Sequence, residues 1–298
     1  MTRPHGVGLY APAGFALDPA AVDRAQARLV AMRDRVVVDP TCRTRFQRFA
    51  ASDDERLASI MRMAEDPRVG LAITLRGGYG WTRLLPRLDF PSIARAGKQW
   101  LGYSDFTAFQ LAALSHAGMV TFAGPSVSDF GAEQPSAFAL DHCFGLLDQR
   151  RYEVSCVLDG PDIACGGTLW GGNLALVAHL CGTPHFPRVD GGILFLEDVG
   201  ETPYRIERML YQLHHAGVLA RQRAILLGQF TEYALSANDG GYDLDAAVAQ
   251  MRGVCAAPIY TGLPFGHVPD KLTLPVGGRC DLTVREGDAT LAFSRYAE

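Results

Sequence analysis

Apolar and polar positions fall into alternating blocks along the chain. Short apolar runs at Val7–Tyr10, Arg35–Val38, Gly70–Leu75, Lys98–Gly102 and Val120–Phe122 read as strands, Gly70–Leu75 as a buried one. Amphipathic stretches lie between them, and Pro19–Asp34, Asp53–Glu65 and Asp105–Ala117 read as helices. The second helix opens on Ser52-Asp53-Asp54-Glu55, a capping box in which serine and glutamate satisfy first-turn amides. Strands that alternate with helices predict an α/β fold with a parallel sheet. The rhythm changes near residue 150. Gln149-Arg150-Arg151 is a charged break, and Tyr152–Leu158 reads as an antiparallel strand. A second α/β set follows, with strands at Gly192–Leu196 and Arg223–Gly228 and helices at Pro203–Ala216 and Leu244–Arg252. The end, Leu272–Phe293, reads as short strands joined by glycine turns. We therefore expect two domains, 1–150 and 151–298, with the helix near Glu133–Leu147 assignable to either.

Composition narrows the class. The chain has 298 residues, 48% hydrophobic and 20% charged, which is enough apolar material for a packed core and excludes wholesale disorder. A net charge of −4 gives no general attraction to nucleic acid or to an anionic membrane, so neither is expected as a partner. No stretch approaches the roughly 18 apolar residues of a membrane span. The opening residues lack the pattern of an export signal, which predicts a cytoplasmic protein. The 7 cysteines are irregularly spaced, and they read as reduced thiols rather than a disulfide framework or zinc site. With no H-E-x-x-H and no carboxylate-rich loop, neither metal nor cofactor is expected. Of 28 basic residues only Lys98 and Lys271 are lysines; the arginines are spread over the whole chain, as genomic base composition would produce.

Four segments could carry chemistry. In Leu101-Gly102-Tyr103-Ser104-Asp105-Phe106 a serine falls on a turn between strand and helix, where its hydroxyl projects and the next amide becomes an oxyanion donor. Phe106 stands where the hydrolase pattern G-x-S-x-G has its last glycine, and Ser104 also reads as the N-cap of the following helix. Arg76-Gly77-Gly78-Tyr79-Gly80 permits close backbone approach to an oxyanion or a phosphate, or is a plain tight turn. Glu197, at the end of an apolar run, is a carboxylate for orienting a base, or a partner for Arg205 or Arg208. His267, in Gly262-Leu263-Pro264-Phe265-Gly266-His267, is the base candidate, or a structural histidine. Together they give the order Ser…Glu…His found in other α/β hydrolases.

These segments, with Gly124-Pro125, Gly167-Thr168-Leu169-Trp170-Gly171-Gly172-Asn173-Leu174, Leu196-Glu197-Asp198, Arg208-Met209-Leu210 and Gly217-Val218-Leu219, resemble the LD-carboxypeptidase family of serine peptidases, the muramoyltetrapeptide carboxypeptidases. The resemblance runs over most of the chain. It implies a flavodoxin- or Rossmann-like N-terminal domain, a C-terminal domain with a smaller sheet, and a site in the cleft between them. It implies Ser104 as nucleophile, Glu197 as acid and His267 as base. The oxyanion amides would be those of Asp105 and Gly78, with Gly77 second. The implied reaction removes terminal D-alanine from murein tetrapeptide at an L,D bond, and the implied assembly is a homodimer. A carboxypeptidase also needs a cation for the substrate's terminal carboxylate, and Arg76 adjoins the oxyanion loop. Trp170 and Asn173, read as part of a glycine-rich turn, are candidates to line the pocket, or else a core tryptophan and a helix cap. The rival readings are a microcin-immunity-type peptidase acting on aminoacyl- or peptidyl-nucleotides, and a nucleotide- or peptide-binding module without activity.

Overall fold

The structure is a computed structural model and describes residues 6–33 and 35–296; the opening residues, His5 among them, lie outside these. Its first sheet is built from β1 (Val7–Tyr10), β2 (Val36–Val38), β3 (Leu71–Thr74), β4 (Gln99–Gly102) and β5 (Thr121–Ala123). These strands pair in parallel in the order β5-β4-β3-β1-β2. β1 and β3 are buried at every position, as a parallel sheet covered on both faces requires. The covering helices are α1 (Ala20–Met32), α2 (Asp53–Glu65), α3 (Trp81–Leu84), α4 (Phe90–Arg95), α5 (Thr107–Ala117), α6 (Val127–Phe130) and α7 (Ala137–Leu147). Ser52 caps α2 by accepting from the Glu55 amide at 3.3 Å.

The second sheet contains β6 (Tyr152–Val157), β7 (Ile163–Asn173), β8 (Ile193–Val199), β9 (Ala224–Thr231) and β10 (Ile259–Thr261). The helices α8 (Leu174–Leu180), α9 (Pro203–His215) and α10 (Leu244–Val254) connect them. The chain then crosses to the first sheet. There β11 (Leu274–Val276) pairs antiparallel with β5 before β12 (Arg279–Arg285) and β13 (Asp288–Ser294) return to the second. The second sheet runs β10-β9-β8-β7-β12-β13-β6. Its β10-to-β7 part is parallel and its β7-to-β6 part antiparallel. β12 and β13 alternate buried and more exposed positions, the pattern of a sheet with one face to water.

Two expectations change here. The C-terminal sheet is not the smaller one: among the described residues it has 7 strands against 6. Trp170 and Asn173 lie in β7, an 11-residue strand, not in a turn. Glycines conceal that strand in the sequence and are needed by its packing: a Cβ on Gly171 would stand 1.9 Å from the Phe195 carbonyl oxygen. All seven cysteines are free. Among the described residues no helix is long and apolar enough to cross a membrane, and no metal-binding cluster of His, Cys, Asp or Glu occurs.

Candidate active site

The chain leaves β4 through Tyr103 and enters a 3₁₀ turn at Ser104–Phe106, which runs into α5. The turn forces Ser104 to φ +64°, the left-handed region that a serine enters at a cost of about 1–3 kcal/mol. The capping position belongs to Tyr103, and no side-chain cap bond forms, so Ser104 is not a helix cap. Strain on this hydroxyl-bearing residue is what a sharp strand-to-helix elbow produces.

The glycine loop after β3 presses on this turn. A Cβ on Gly77 would lie 2.6 Å from both Cβ and Oγ of Ser104 and 3.1 Å from the Asp105 nitrogen. The Gly77 carbonyl accepts from the Gly14 amide at 3.1 Å. Because the peptide is trans, the Gly78 N–H points to the opposite side. Among the described residues the amides of Gly78 and Asp105 donate to no protein group. The Asp105 carboxylate ties loop to turn: it accepts from the amides of Trp81, at 3.1 Å, and Gly80. Burial pushes its pKa up, while those two amides pull it down. Gly77→Ala is expected to displace Ser104, lowering kcat about 10²-fold and also the melting temperature, since the Ser104 Cβ and the Asp105 backbone cannot yield freely. Steady-state kinetics beside a thermal melt checks this.

Glu197 and His267 come from the second sheet and the crossing segment. The register of β8 against β9 slips between Leu196 and Asp198, a bulge that buries Leu196, Glu197 and Asp198 in succession. Glu197 is fully buried and accepts from His267 Nδ1 at 2.7 Å. A carboxylate at Nδ1 fixes the tautomer with the proton there and leaves Nε2 as an acceptor. Asn173 faces Glu197 across the β7–β8 ladder. Its Nδ2 donates to Glu197 Oε1 at 3.3 Å and to Asp198 Oδ1 at 2.8 Å, while its Oδ1 caps α8. Asn173 therefore caps a helix and also steadies the acid. Burial pushes the Asp198 carboxyl up to about 6, and the Glu197 charge adds to this.

A pocket of about 260 Å³ opens over these residues, lined by Arg76, Gly77, Gly78, Tyr103, Ser104 and His267 among others. Ser104 and His267 share it without a direct hydrogen bond among the described residues, a looseness common before substrate binds. Arg76 is half-buried, its guanidinium set against Gly14 and Gly78. Burial lowers its pKa, the nearby Arg48 charge adds to this, and Arg76 forms no ion pair with a carboxylate among the described residues. Trp170 does not line the pocket. It is 1% exposed, with Nε1 donating to Gln222 Oε1 at 2.9 Å in the core. Glu197 is paired with neither Arg205 nor Arg208.

Known proteins similar to this one match most of its length, and the solved ones share its fold. The family description "LD-carboxypeptidase N-terminal domain" matches residues 7–124, and "LD-carboxypeptidase C-terminal domain" matches 166–282. The murein tetrapeptide carboxypeptidase of Pseudomonas aeruginosa is 31% identical over 246 residues, 78% of this chain and 78% of that one. The crystal structure of muramoyltetrapeptide carboxypeptidase from Oxalobacter formigenes superposes with TM-score 0.92 at 45% identity, covering 98% of this chain and 100% of that one. The microcin C7 self-immunity protein MccF gives TM-score 0.89 at 19% identity over 100% of this chain and 98% of its own, a likeness of fold. Matched in order through both halves, the chain belongs to the LD-carboxypeptidase family.

Proposed function

We propose that the protein is a serine carboxypeptidase that removes terminal D-alanine from murein tetrapeptide, with Ser104, His267 and Glu197 as its catalytic residues. The observation that supports this best is one pocket holding a strained Ser104 and a His267 whose Nδ1 is engaged by buried Glu197. His267 Nε2 takes the Ser104 proton as Oγ attacks the carbonyl between the diamino acid's L-centre and D-alanine. The oxyanion accepts hydrogen bonds from the Asp105 and Gly78 amides, with Gly77 as the second candidate. The C–N bond then breaks, His267 returns the proton to the departing amine, and D-alanine leaves. Water then attacks the Ser104 ester as His267 takes its proton, the ester C–O bond breaks with His267 returning that proton to Ser104 Oγ, and the tripeptide leaves. Glu197 holds the imidazole throughout and offsets its positive charge.

The unpaired Arg76 suits the terminal carboxylate, since charge-assisted bidentate bonds are the strong ones. Arg76→Gln is expected to raise KM and lower kcat/KM about 10–100-fold, and an amidated tetrapeptide should lose as much against wild type. Unchanged kcat/KM in the variant would remove Arg76 from the site. The 45% identity to a muramoyltetrapeptide carboxypeptidase, against 19% to MccF, favours the murein substrate over an aminoacyl-nucleotide. On the family resemblance we extend the reading to a homodimer, and on the seven free thiols to the cytoplasm. The deciding experiment is mass spectrometry of murein tetrapeptide incubated with the protein: release of D-alanine is expected, and its absence rejects the reading.

A further inference from the structure

Lys271 is one of two lysines in the chain, and only 1% of it is exposed. A buried ammonium is costly without a counter-charge. Here Nζ donates to Asp129 Oδ1 at 2.5 Å and stands 4.4 Å from the centre of the Tyr103 ring, so a carboxylate and a π-face both receive it. Asp129 is itself fixed, its other oxygen accepting from the amide and hydroxyl of Ser126 at 2.8 and 2.7 Å. Tyr103 packs in turn against His267, with ring centres 5.0 Å apart. An unbroken series of contacts thus runs Asp129, Lys271, Tyr103, His267.

The series alternates between two parts of the fold. Asp129 and Tyr103 stand on connections of the first sheet, whereas His267 and Lys271 stand on the segment that crosses from β10 to β11. The Glu197 bond fixes one atom of the imidazole from the second sheet. It does not set the ring's distance from Ser104, which hangs from β4 in the first. Tyr103 supplies that constraint, because it immediately precedes Ser104 and touches the His267 ring.

We propose that Lys271 is a positioning residue: clamped between Asp129 and Tyr103, it sets the spacing of His267 from Ser104 across the two sheets. The proposal rests on the peptidase reading above and gives Lys271 no contact with substrate. It is tested on the full chain carrying Lys271→Met, Lys271→Arg or Asp129→Asn. D-alanine release gives kcat and KM, a thermal melt reports folding, and a fluorophosphonate probe reports the reactivity of Ser104 without any peptide. Lys271→Met is expected to lower kcat about 10–100-fold with KM within about threefold, and to slow labelling by the same factor. Lys271→Arg keeps charge and reach and should recover most of the loss, and Asp129→Asn should fall between. A lower melting temperature with kcat and labelling unchanged would make Lys271 a structural staple and overturn the proposal. A loss that Lys271→Arg does not restore would do the same. If Lys271→Met fails to fold, Asp129→Asn and Lys271→Arg carry the same comparison. A wild type that reacts with the probe yet releases no D-alanine rejects the substrate instead, and the labelling rates still decide on Lys271.

Discussion

Ser104→Ala is expected to lower D-alanine release about 10⁴–10⁶-fold, the range set by losing the nucleophile of a serine hydrolase whose oxyanion donors survive. The fold should survive too. The Ser104 hydroxyl caps no helix, and the position is held by the 3₁₀ turn and the Asp105 carboxylate rather than by its own side chain. A second substitution separates chemistry from conformation. At φ +64° alanine stays strained but glycine does not, so Ser104→Gly should be about 1 kcal/mol more stable than Ser104→Ala while equally inactive. Thermal melts beside a mass-spectrometric release assay read both quantities. Release by Ser104→Ala at more than a hundredth of the wild-type rate would remove Ser104 from the reaction.

Glu197→Gln should cost about 10⁴ in kcat at nearly unchanged volume, because an amide in place of the carboxylate favours the wrong histidine tautomer. It also changes a second group. Asp198 is raised to about 6 from an ordinary 3.8, mainly by burial and partly by the Glu197 charge. Its folded pKa lies above its unfolded one, so between about pH 4 and 6 the native state binds more protons and stability falls as pH rises. Removing the Glu197 charge lets the Asp198 pKa fall, so the variant should lose less stability over that window. Chemical denaturation at several pH values measures the slope. An inactive variant with a wild-type slope would separate the two carboxylates, and a variant of wild-type activity would take Glu197 out of the mechanism.

Legibility varied with how local each signal was. Val7–Tyr10 and Asp53–Glu65 occur as read, since an apolar run and an N-cap serine speak for themselves; of the expected capping box only the Ser52 half forms. The helix read from Asp105 begins instead at Thr107, because the strained turn takes up Ser104–Phe106. β7 is hidden in the sequence because Gly166, Gly167, Gly171 and Gly172 break its apolar pattern, and they are glycines because neighbouring groups press on them. Ser104, Glu197 and His267 carry motif signals, and the structure sets Ser104 and His267 in one pocket with Glu197 bonded to His267. The second role of Asn173 carries no such signal: it depends on Asn173 standing beside Glu197 in the β7–β8 register, a distance of 24 residues along the chain. Lys271 was equally silent, since its partners Asp129 and Tyr103 lie more than a hundred positions upstream.

The crossing to β11 also bears on synthesis. β5 acquires its outer neighbour only when Leu274–Val276 emerges from the ribosome, about 150 residues after Ala123. At about 5–20 residues per second, the nascent first sheet keeps a bare edge for roughly 8–30 s. A chain cut after α7 would keep that edge for good, and an open edge strand recruits other strands. Expression of the first half alone therefore calls for a supplied β11 segment, in trans or by circular permutation, rather than for a cleaner cut.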